Sequence, residues 1–286
     1  METTSAAAVH DAAYQGEPGA YSEFAATAFL GRDARLLPAP TLEEVFVSVA
    51  EGHARHAVVP LENTIAGTVP GVYELLLSHE LCIIGERRIA IDHALIGPPG
   101  LAIEDIRRVL SHPVALGQCR AFLRRHPAMV PVAAFDTAGA VRIILEEDDG
   151  ASAAIAGRHA AAVHGGAVLA EHLQDHPENW TRFALLARGE PAASRDATRA
   201  LLVFDLPHQP GALAGALHAA ADARVDLTKI ESRPIATRPF EYRFIVELSH
   251  DDPGVLDTVI GRMGARTAAL RVIGRFRAAT NQESRS

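Results

Sequence analysis

The chain has 286 residues, of which 48% are hydrophobic and 22% charged, so its length predicts more than one folded unit and its composition excludes wholesale disorder. Its 27 basic and 35 acidic residues give a net charge of −8, which disfavours nucleic acid as a partner because phosphate contacts dominate such binding. With two cysteines, no recognisable signal peptide and no apolar run long enough to span a membrane, we expect a cytoplasmic protein without membrane contacts.

Short apolar runs alternate with helical patterns over the first half of the chain. Thr41 is predicted to cap a helix, with Glu44 at capping-box spacing, and the hydroxyl of Ser22 is predicted to cap an earlier helix. This alternation predicts an α/β fold with substantial parallel strand pairing. The predicted strands are 12–15, 56–60, 81–84, 90–96 and 109–111, and the predicted helices are 21–30 and 41–51.

The alternation continues after residue 150 and stops at a stretch rich in Gly, Pro, Ser and charge. Residues 153–155 and 183–187 are predicted strands, and 157–164 a helix. Residues 188–199 lose all periodicity, which is typical of a domain linker. Beyond them the order strand, helix, strand, strand, helix, strand predicts a ferredoxin-like domain. Its elements are predicted at 201–206, 211–223, 225–232, 240–248, 253–263 and 270–276.

Several motifs that mark cofactor or metal sites are missing from the sequence. It has no GxGxxG, GxxxxGK[ST], HExxH or CxxC pattern, and its 14 histidines lack ligand spacing, so we expect no cofactor and no metal. The glycine-rich segment 16–19 could hold an anion at a helix N-terminus or form a tight turn, and the turn is favoured.

Three polar stretches follow or precede apolar strands, where loops are expected to face a cleft. They are Pro60–Thr64 (PLENT), Ser111–Cys119 (SHPVALGQC), in which Ser111 is predicted to cap a helix that carries Gln118, and Asn179–Phe183 (NWTRF). Each stretch has two interpretations of similar weight. The polar side chains either bind a ligand or serve as caps, turn residues and buried amides.

Taken together, these motifs resemble the prephenate dehydratase family. The resemblance also includes Tyr14–Ser22 (YQGEPGAYS), Asp136–Ala140 (DTAGA) and Ala153–Ala156 (AAIA). The C-terminal unit resembles an ACT domain through Pro210–Leu213 (PGAL) and Thr228–Pro234 (TKIESRP). The similarity extends from about residue 12 to residue 277, with the motifs in the family's order.

The resemblance implies an α/β fold with a two-lobed catalytic domain, similar to type II periplasmic binding proteins, and a ferredoxin-like (βαββαβ) ACT domain. The catalytic domain is then expected at 9–188, with lobe one at about 9–85 and 179–188 and lobe two at about 86–178. A linker at 189–199 and a regulatory domain at 200–278 follow.

The family's reaction removes the ring carboxylate of prephenate as carbon dioxide and its C4 hydroxyl as water, which leaves phenylpyruvate. The resemblance implies that Thr181 is the catalytic residue. Arg182 either binds a substrate carboxylate through its planar fork or pairs with Glu62. The residues implied in substrate binding are Glu62, Asn63, Ser111, Gln118, Thr137, Arg182 and Phe183.

The ACT resemblance implies that phenylalanine binds between two such domains of a homodimer or homotetramer. The implied effector residues are Gly211, Ala212, Leu213, Glu231, Ser232, Arg233 and Pro234. An alternative is that PGAL is only a strand-to-helix turn and that ESRP only ends a strand.

Two other functions stay open. YQGEPGAYS and DTAGA are similar to the plant arogenate dehydratases, whose substrate carries an amino group where prephenate has a keto group. A non-catalytic amino-acid-sensing binding protein is the alternative from another class.

Overall fold

The computed structural model describes residues 9–191, 196–235 and 238–279. Of these, 9–79 and 87–185 form one compact unit, and 80–86 and 186–279 form a second. Residues 192–195 of the predicted linker lie outside the described residues. No helix in the described ranges is long and apolar enough to cross a membrane.

The described strands and helices follow the chain in alternation. The strands are β1 (His10–Gln15), β2 (Leu36–Ala39), β3 (Ala54–Asn63), β4 (Gly67–Thr68), β5 (Leu81–Ala90), β6 (His93–Gly97), β7 (Arg108–Ser111), β8 (Val130–Ala133), β9 (Ser152–Gly157), β10 (Ala167–Ala170), β11 (Trp180–Arg188), β12 (Arg199–Asp205), β13 (Asp226–Ile235), β14 (Arg238–Ser249) and β15 (Ala269–Phe276). The helices are α1 (Tyr21–Leu30), α2 (Leu42–Ala50), α3 (Val72–Ser78), α4 (Pro113–Gln118), α5 (Arg120–Arg125), α6 (Thr137–Glu147), α7 (Arg158–His164), α8 (Ala212–Asp222) and α9 (Pro253–Gly264).

The first unit contains two sheets. In one of them, β1 lies between β2 and β3 and pairs with both in parallel, and β11 lies on the other side of β3. Its core is built from small and aromatic side chains of the strands and α1, among them Ala12, Tyr14, Ala25, Val58 and Phe183. Small residues let the helix approach the sheet closely.

The second sheet of this unit has the order β10-β6-β9-β7-β8. Strand β7 pairs in parallel with β8 and β9, whereas β6 runs antiparallel to β9. One core cluster includes Ile96, Val141 and Ile144, and another includes Leu95, Phe122 and Ile155. Since neighbouring residues of β6 and β9 enter different clusters, helices cover both faces of this sheet. The two sheets confirm the predicted two-lobed α/β class.

The second unit has the element order β12, α8, β13, β14, α9, β15, which confirms the predicted βαββαβ arrangement. Its strands are ordered β13-β14-β12-β15, and each neighbouring pair is antiparallel. Residues of α8 and α9 pack on one face of this sheet around Phe204, Val246 and Met263.

Among the predicted strand boundaries that were wrong, two concern the polar motifs. Strand β3 continues to Asn63 because Glu62 and Asn63 pair with Thr68 and Gly67 of β4, so most of PLENT is strand rather than loop. Strand β11 begins at Trp180 rather than at residue 183. Thr181 therefore lies within a strand.

The predicted cap of α1 was also wrong, whereas that of α2 is confirmed. Helix α1 has Ala20 as its N-cap, without a side-chain hydrogen bond from that residue, and Ser22 lies inside the first turn. The Glu23 carboxylate instead accepts a hydrogen bond from the backbone N–H of Gly19 at 2.6 Å. In α2 the Thr41 hydroxyl accepts a hydrogen bond from the Glu44 N–H at 3.2 Å.

The confirmed cap at Thr41 and the incorrectly predicted cap at Ser22 give a matched test of how much capping contributes to stability. We expect Thr41→Ala to lower the free energy of unfolding by about 1 kcal/mol, because the Glu44 N–H loses its acceptor. Ser22→Ala should change it by less than about 0.5 kcal/mol, since no cap is lost. Urea unfolding followed by circular dichroism measures both. Equal losses in the two variants would contradict the capping assignment.

Candidate active site

Five polar side chains of the first unit meet in one cluster, in which every member except the partly buried Asn63 is buried. Their hydrogen bonds connect them without interruption, and we call the three amides among them the amide cluster. The members of the amide cluster are Asn63 at the end of β3, Gln118 at the end of α4 and Asn179 just before β11, and they are joined by Thr181 on β11 and His93 at the start of β6.

The orientation of Asn63 follows from the turn after β3. Its side-chain oxygen accepts hydrogen bonds from the backbone N–H groups of Ile65 at 3.0 Å and Ala66 at 2.9 Å. Asn favours such turns because its side chain bonds the backbone two or three residues on. Since N–H groups only donate, the Oδ1 atom of Asn63 must face this turn and its NH₂ group must face the other way.

The Asn63 NH₂ group has two N–H donors and lies within hydrogen-bonding distance of three oxygens. These are Oδ1 of Asn179 at 2.8 Å, the backbone carbonyl of Trp180 at 3.1 Å and Oγ1 of Thr181 at 3.0 Å. The bond to Asn179 occupies that residue's oxygen. The NH₂ group of Asn179 is therefore directed elsewhere, and it donates to Gln118 Oε1 at 3.0 Å.

Gln118 closes the amide cluster into a ring. Its NH₂ group lies 3.4 Å from Asn63 Oδ1, so each of the three amides donates to the oxygen of the next. Hydrogen bonds linked in this way polarise one another, and in a buried environment the loss of one partner leaves a costly unpaired group.

His93 adds a second donor to Gln118. Its Nε2 atom lies 2.9 Å from Gln118 Oε1, and because that oxygen can only accept, Nε2 carries the proton. Burial lowers the pKa of His93 below its ordinary value. Its Nδ1 atom is buried and has no hydrogen-bond partner among the described residues.

Thr181 occupies the end of the hydrogen-bond chain. Its side chain is buried, and its oxygen accepts the hydrogen bond from Asn63. Within the described ranges, no acceptor for its hydroxyl proton lies at hydrogen-bonding distance. A threonine held in this way presents an O–H donor to any polar atom that enters the site.

Three predicted substrate residues lie apart from this cluster, although they are adjacent to its members in sequence. Side chains alternate along a strand, so Arg182 projects to the face opposite Thr181, and Glu62 to the face opposite Asn63. Phe183 is 2% exposed and packs in the core of the first sheet. Phe183 is therefore a core residue, and Glu62 and Arg182 project from the opposite faces of the strands that carry Asn63 and Thr181.

Ser111 and Thr137, two other predicted substrate residues, also lie outside the amide cluster. The hydroxyl of Ser111 donates to the Ile155 carbonyl at 2.5 Å, so it does not cap α4 as predicted. The cap is His112, whose Nδ1 accepts from the Val114 N–H at 3.2 Å. Thr137 is the first residue of α6, after the cap Asp136, and no hydrogen bond joins it to the amide cluster.

The DTAGA and GEPG motifs meet at the start of α6. Glu17 binds the Arg142 guanidinium through both carboxylate oxygens, at 2.6 and 2.7 Å. A Cβ atom at Gly139 would lie 3.1 Å from carboxylate oxygens of both Glu17 and Asp136. Burial raises the pKa of Asp136, and the nearby Glu17 carboxylate adds to this shift. A side chain at position 139 would therefore crowd these carboxylates, and the glycine-rich segment 16–19 forms a turn that contacts α6 through Glu17.

Two members of the site were not among the predicted residues. Asn179 belongs to the NWTRF stretch, which was a signal for its role, whereas His93 lies in no motif. Its only signal is that Asp92 and His93 form a polar pair within an otherwise apolar run. The described residues contain no group of three or more His, Cys, Asp or Glu side chains placed to hold a metal ion.

The predicted effector motifs lie in the second unit. Gly211, with a φ of 80°, is the N-cap of α8. With Ala212 and Leu213 it lines a cavity of about 300 Å³, to which Tyr242 and Phe244 also contribute.

The ESRP motif lies on the strand next to this cavity. Ser232 and Pro234 pair with Phe244 and Tyr242 across β13 and β14, so they lie beside the cavity on its face of the sheet. Glu231 and Arg233 face the other way, where the Glu231 carboxylate contacts Lys229 and Arg233, each at 2.8 Å.

Comparison with known proteins agrees with the motifs. A family model described as prephenate dehydratase matches residues 12–191. Arogenate dehydratase/prephenate dehydratase 2 from the chloroplast of Arabidopsis thaliana is 38% identical over 278 residues, which are 92% of this chain and 72% of that protein.

Two solved structures are also similar along most of the chain. Prephenate dehydratase of Arthrobacter aurescens in complex with L-Phe is 30% identical with a TM-score of 0.86, covering 96% of this chain and 92% of that one. A protein described as a novel type of quorum quenching acylase is 31% identical with a TM-score of 0.83, covering 93% and 97%.

The direction of the amide ring can be tested with Asn63→Asp. The substitution replaces the NH₂ donor by an oxygen that faces the acceptors of Asn179, Trp180 and Thr181, so we expect a loss of roughly 1–3 kcal/mol or more at neutral pH. These acceptors raise the pKa of the new carboxyl group in the folded state. The loss is therefore largest above that pKa and shrinks as the pH falls and the group becomes neutral.

Urea unfolding of this variant and of the wild-type protein over a pH series measures the effect. An unchanged unfolding midpoint at neutral pH would contradict the assigned orientation of Asn63.

Proposed function

Because the chain belongs to the prephenate dehydratase family, we propose that it catalyses the decarboxylative dehydration of prephenate to phenylpyruvate in phenylalanine biosynthesis. The bond to the ring carboxylate breaks, its electrons complete the aromatic ring, and the C4 hydroxyl leaves as water after gaining one proton. This is the chemistry of a carbon–oxygen lyase, and a cytoplasmic location is part of the same proposal.

The observation that carries the proposal is the direction of the Thr181 hydroxyl. Negative charge develops on the departing C4 oxygen in the transition state, so a fixed donor at that oxygen lowers the barrier. The Thr181 oxygen is occupied by the Asn63 NH₂ group, which leaves its O–H free to donate. A threonine is too weak an acid to supply the whole proton, so its role is hydrogen bonding.

The amide cluster supports this role because it is neutral and already oriented. Asn63, Gln118 and Asn179 hold one another in a ring before substrate arrives, so little reorganisation is needed in the transition state. Aromatisation drives the reaction, and the protein has only to orient the substrate and assist the departing hydroxyl.

The similarity to an acylase raises a second type of chemistry, which the site disfavours. Acyl transfer through a side-chain nucleophile needs a neighbouring base that accepts the nucleophile's proton. The neighbour of the Thr181 hydroxyl is the Asn63 NH₂ group, which is itself a donor.

Arogenate is the alternative substrate, and the name of the Arabidopsis relative includes both activities. Arogenate differs in its side chain and keeps the ring carboxylate and C4 hydroxyl, so the same hydrogen bond from Thr181 serves both substrates. A side-by-side assay of the purified protein with prephenate and arogenate decides the preference. Turnover of neither would support the non-catalytic sensor instead.

L-Phenylalanine is the proposed effector, and a solved relative is a complex with L-Phe. In this proposal the amino acid binds at the cavity beside Gly211, between the ACT domains of a homodimer or homotetramer. Two observations support it. The cavity is partly lined by Tyr242, which is 48% exposed, and β13, which carries the ESRP motif, is an edge strand open to a second chain.

Catalysis can be tested at Thr181. Thr181→Val keeps the shape and removes the hydroxyl, so kcat and kcat/KM should fall together by roughly 100- to 1,000-fold with little change in KM. Thr181→Ser should retain part of the rate, because it keeps the O–H with a freer rotamer.

Thr64→Val is the matched control, since among the described residues the Thr64 hydroxyl bonds the backbone of Glu178 and Trp180 and no side chain of the amide cluster. Steady-state kinetics with prephenate gives the answer once urea unfolding has shown that the variants are folded. A folded Thr181→Val enzyme within about threefold of the wild-type kcat would overturn the assignment of Thr181.

Regulation can be tested at Gly211 and Glu231. Gly211→Val puts a branched side chain at a positive φ beside the cavity, and Glu231→Ala removes the carboxylate between Lys229 and Arg233. Gly211→Val should weaken L-Phe binding in calorimetry by at least about tenfold, or about 1.4 kcal/mol, and Glu231→Ala should do so only if the ligand also reaches the face of β13 opposite the cavity.

Gly215→Val is the control, because Gly215 lies in α8 with open space around it. Wild-type affinity for L-Phe in both test variants would place the effector elsewhere.

A further inference from the structure

The proposed chemistry gives no role to His93, a buried titratable side chain that is bonded to the amide cluster. His93 is 3% exposed, yet burying an imidazole is costly unless its polar atoms are used. Its single side-chain hydrogen bond among the described residues runs from Nε2 to Gln118 Oε1 at 2.9 Å. Any role of His93 in the site is therefore exerted through Gln118.

Gln118 is the least constrained amide of the ring. Its NH₂ group lies 3.4 Å from Asn63 Oδ1, a weak bond that would not by itself fix the amide. A flipped Gln118 would put its NH₂ group against the NH₂ group of Asn179. Asn179 could then turn as well, and its oxygen would no longer accept the hydrogen bond from Asn63.

His93 opposes that flip as long as Nε2 carries its proton. In the observed orientation Gln118 Oε1 accepts from both Nε2 of His93 and Nδ2 of Asn179. In a flipped amide, the NH₂ group of Gln118 would face the N–H donors of His93 and Asn179. Three donors would then meet without an acceptor, which leaves buried N–H groups unpaired. With the proton on Nδ1 instead, Nε2 would accept from the flipped amide and stabilise the wrong orientation.

The position of the His93 imidazole is fixed independently of Gln118. The backbone N–H of His93 donates to Gln174 Oε1 at 3.0 Å, and its carbonyl accepts from the Leu173 N–H at 2.9 Å. Its Cα also pairs with Gly157 in the ladder between β6 and β9, and the Tyr21 ring packs edge-on at 6.1 Å between centroids. The imidazole is thus held from several sides.

We propose that His93 is a positioning residue that holds the Gln118 amide, and through the ring the Thr181 hydroxyl, in the orientation that dehydration requires. This inference rests on the proposed function. Burial, which keeps the imidazole neutral, is consistent with it, because a neutral imidazole carries a proton on only one of its two nitrogens.

The test compares two substitutions of His93. His93→Leu removes the donor, and we expect kcat to fall about tenfold with little change in KM, since one hydrogen bond that acts through Gln118 is lost. His93→Gln retains an NH donor near the position of Nε2 and should recover most of that rate. A residue that only filled space would show the opposite order.

A double-mutant cycle locates the effect. Combined with Gln118→Ala, His93→Leu should cost little more than Gln118→Ala alone, because both act through one contact. His56→Leu is the matched control. His56 is partly buried and bonds the Asp11 carbonyl at 3.0 Å, away from the amide cluster, so its loss should leave kcat unchanged.

One measurement does not depend on activity. Long-range ¹H–¹⁵N spectra of the wild-type protein, assigned with the His93 variants, report which ring nitrogen carries the proton. A proton on Nε2 is expected, and a proton on Nδ1 would overturn the inference whatever the kinetics. Additive effects in the cycle, or wild-type kcat in His93→Leu, would also overturn it. Failure of the wild-type protein to turn over prephenate or arogenate would instead overturn the proposed function.

Discussion

The side-chain oxygen of Asn63 accepts hydrogen bonds from the backbone N–H groups of Ile65 and Ala66, and the direction of every other hydrogen bond in the site follows. An Asn side chain can turn over, but the backbone that holds this one cannot. With Oδ1 fixed in the turn, its NH₂ group must donate to Asn179 and Thr181. A local turn after β3 thereby sets which atom of Thr181 is left to meet a substrate.

The turn after β3 lies next to the two segments through which the chain crosses from one sheet of the first unit to the other. Asn63 and Thr181 lie on the neighbouring strands β3 and β11, while His93 lies on β6 of the second sheet and Gln118 ends α4, which packs against that sheet. The two segments that pass between the sheets are bonded to each other, since the Ile91 N–H donates to the Asn179 carbonyl at 2.8 Å. The site therefore depends on both sheets and on the connection between them.

Local patterns in the sequence predicted most of this architecture, because alternation and capping are properties of neighbouring residues. The cap at Thr41 and the βαββαβ order are confirmed, and motif resemblance placed Asn63, Gln118 and Thr181 together. Patterns within one segment do not report long-range pairing. The end of β3 at Asn63 depends on β4, and the surroundings of His93 depend on residues far from it in the chain. Because side chains alternate along a strand, the extent of β11 also places Arg182 on the face opposite Thr181.

The central claim is that the amide ring leaves the Thr181 hydroxyl proton free for the substrate. Neutron diffraction from crystals of the deuterated protein would test it most directly, because neutron maps locate deuterium atoms instead of leaving them to be inferred from the hydrogen-bond network. The account predicts two deuterons on Asn63 Nδ2, one of them directed at Thr181 Oγ1, and a Thr181 deuteron that points away from Asn63. A Thr181 deuteron lying between the two side chains, with Asn63 Oδ1 as its acceptor, would contradict the account.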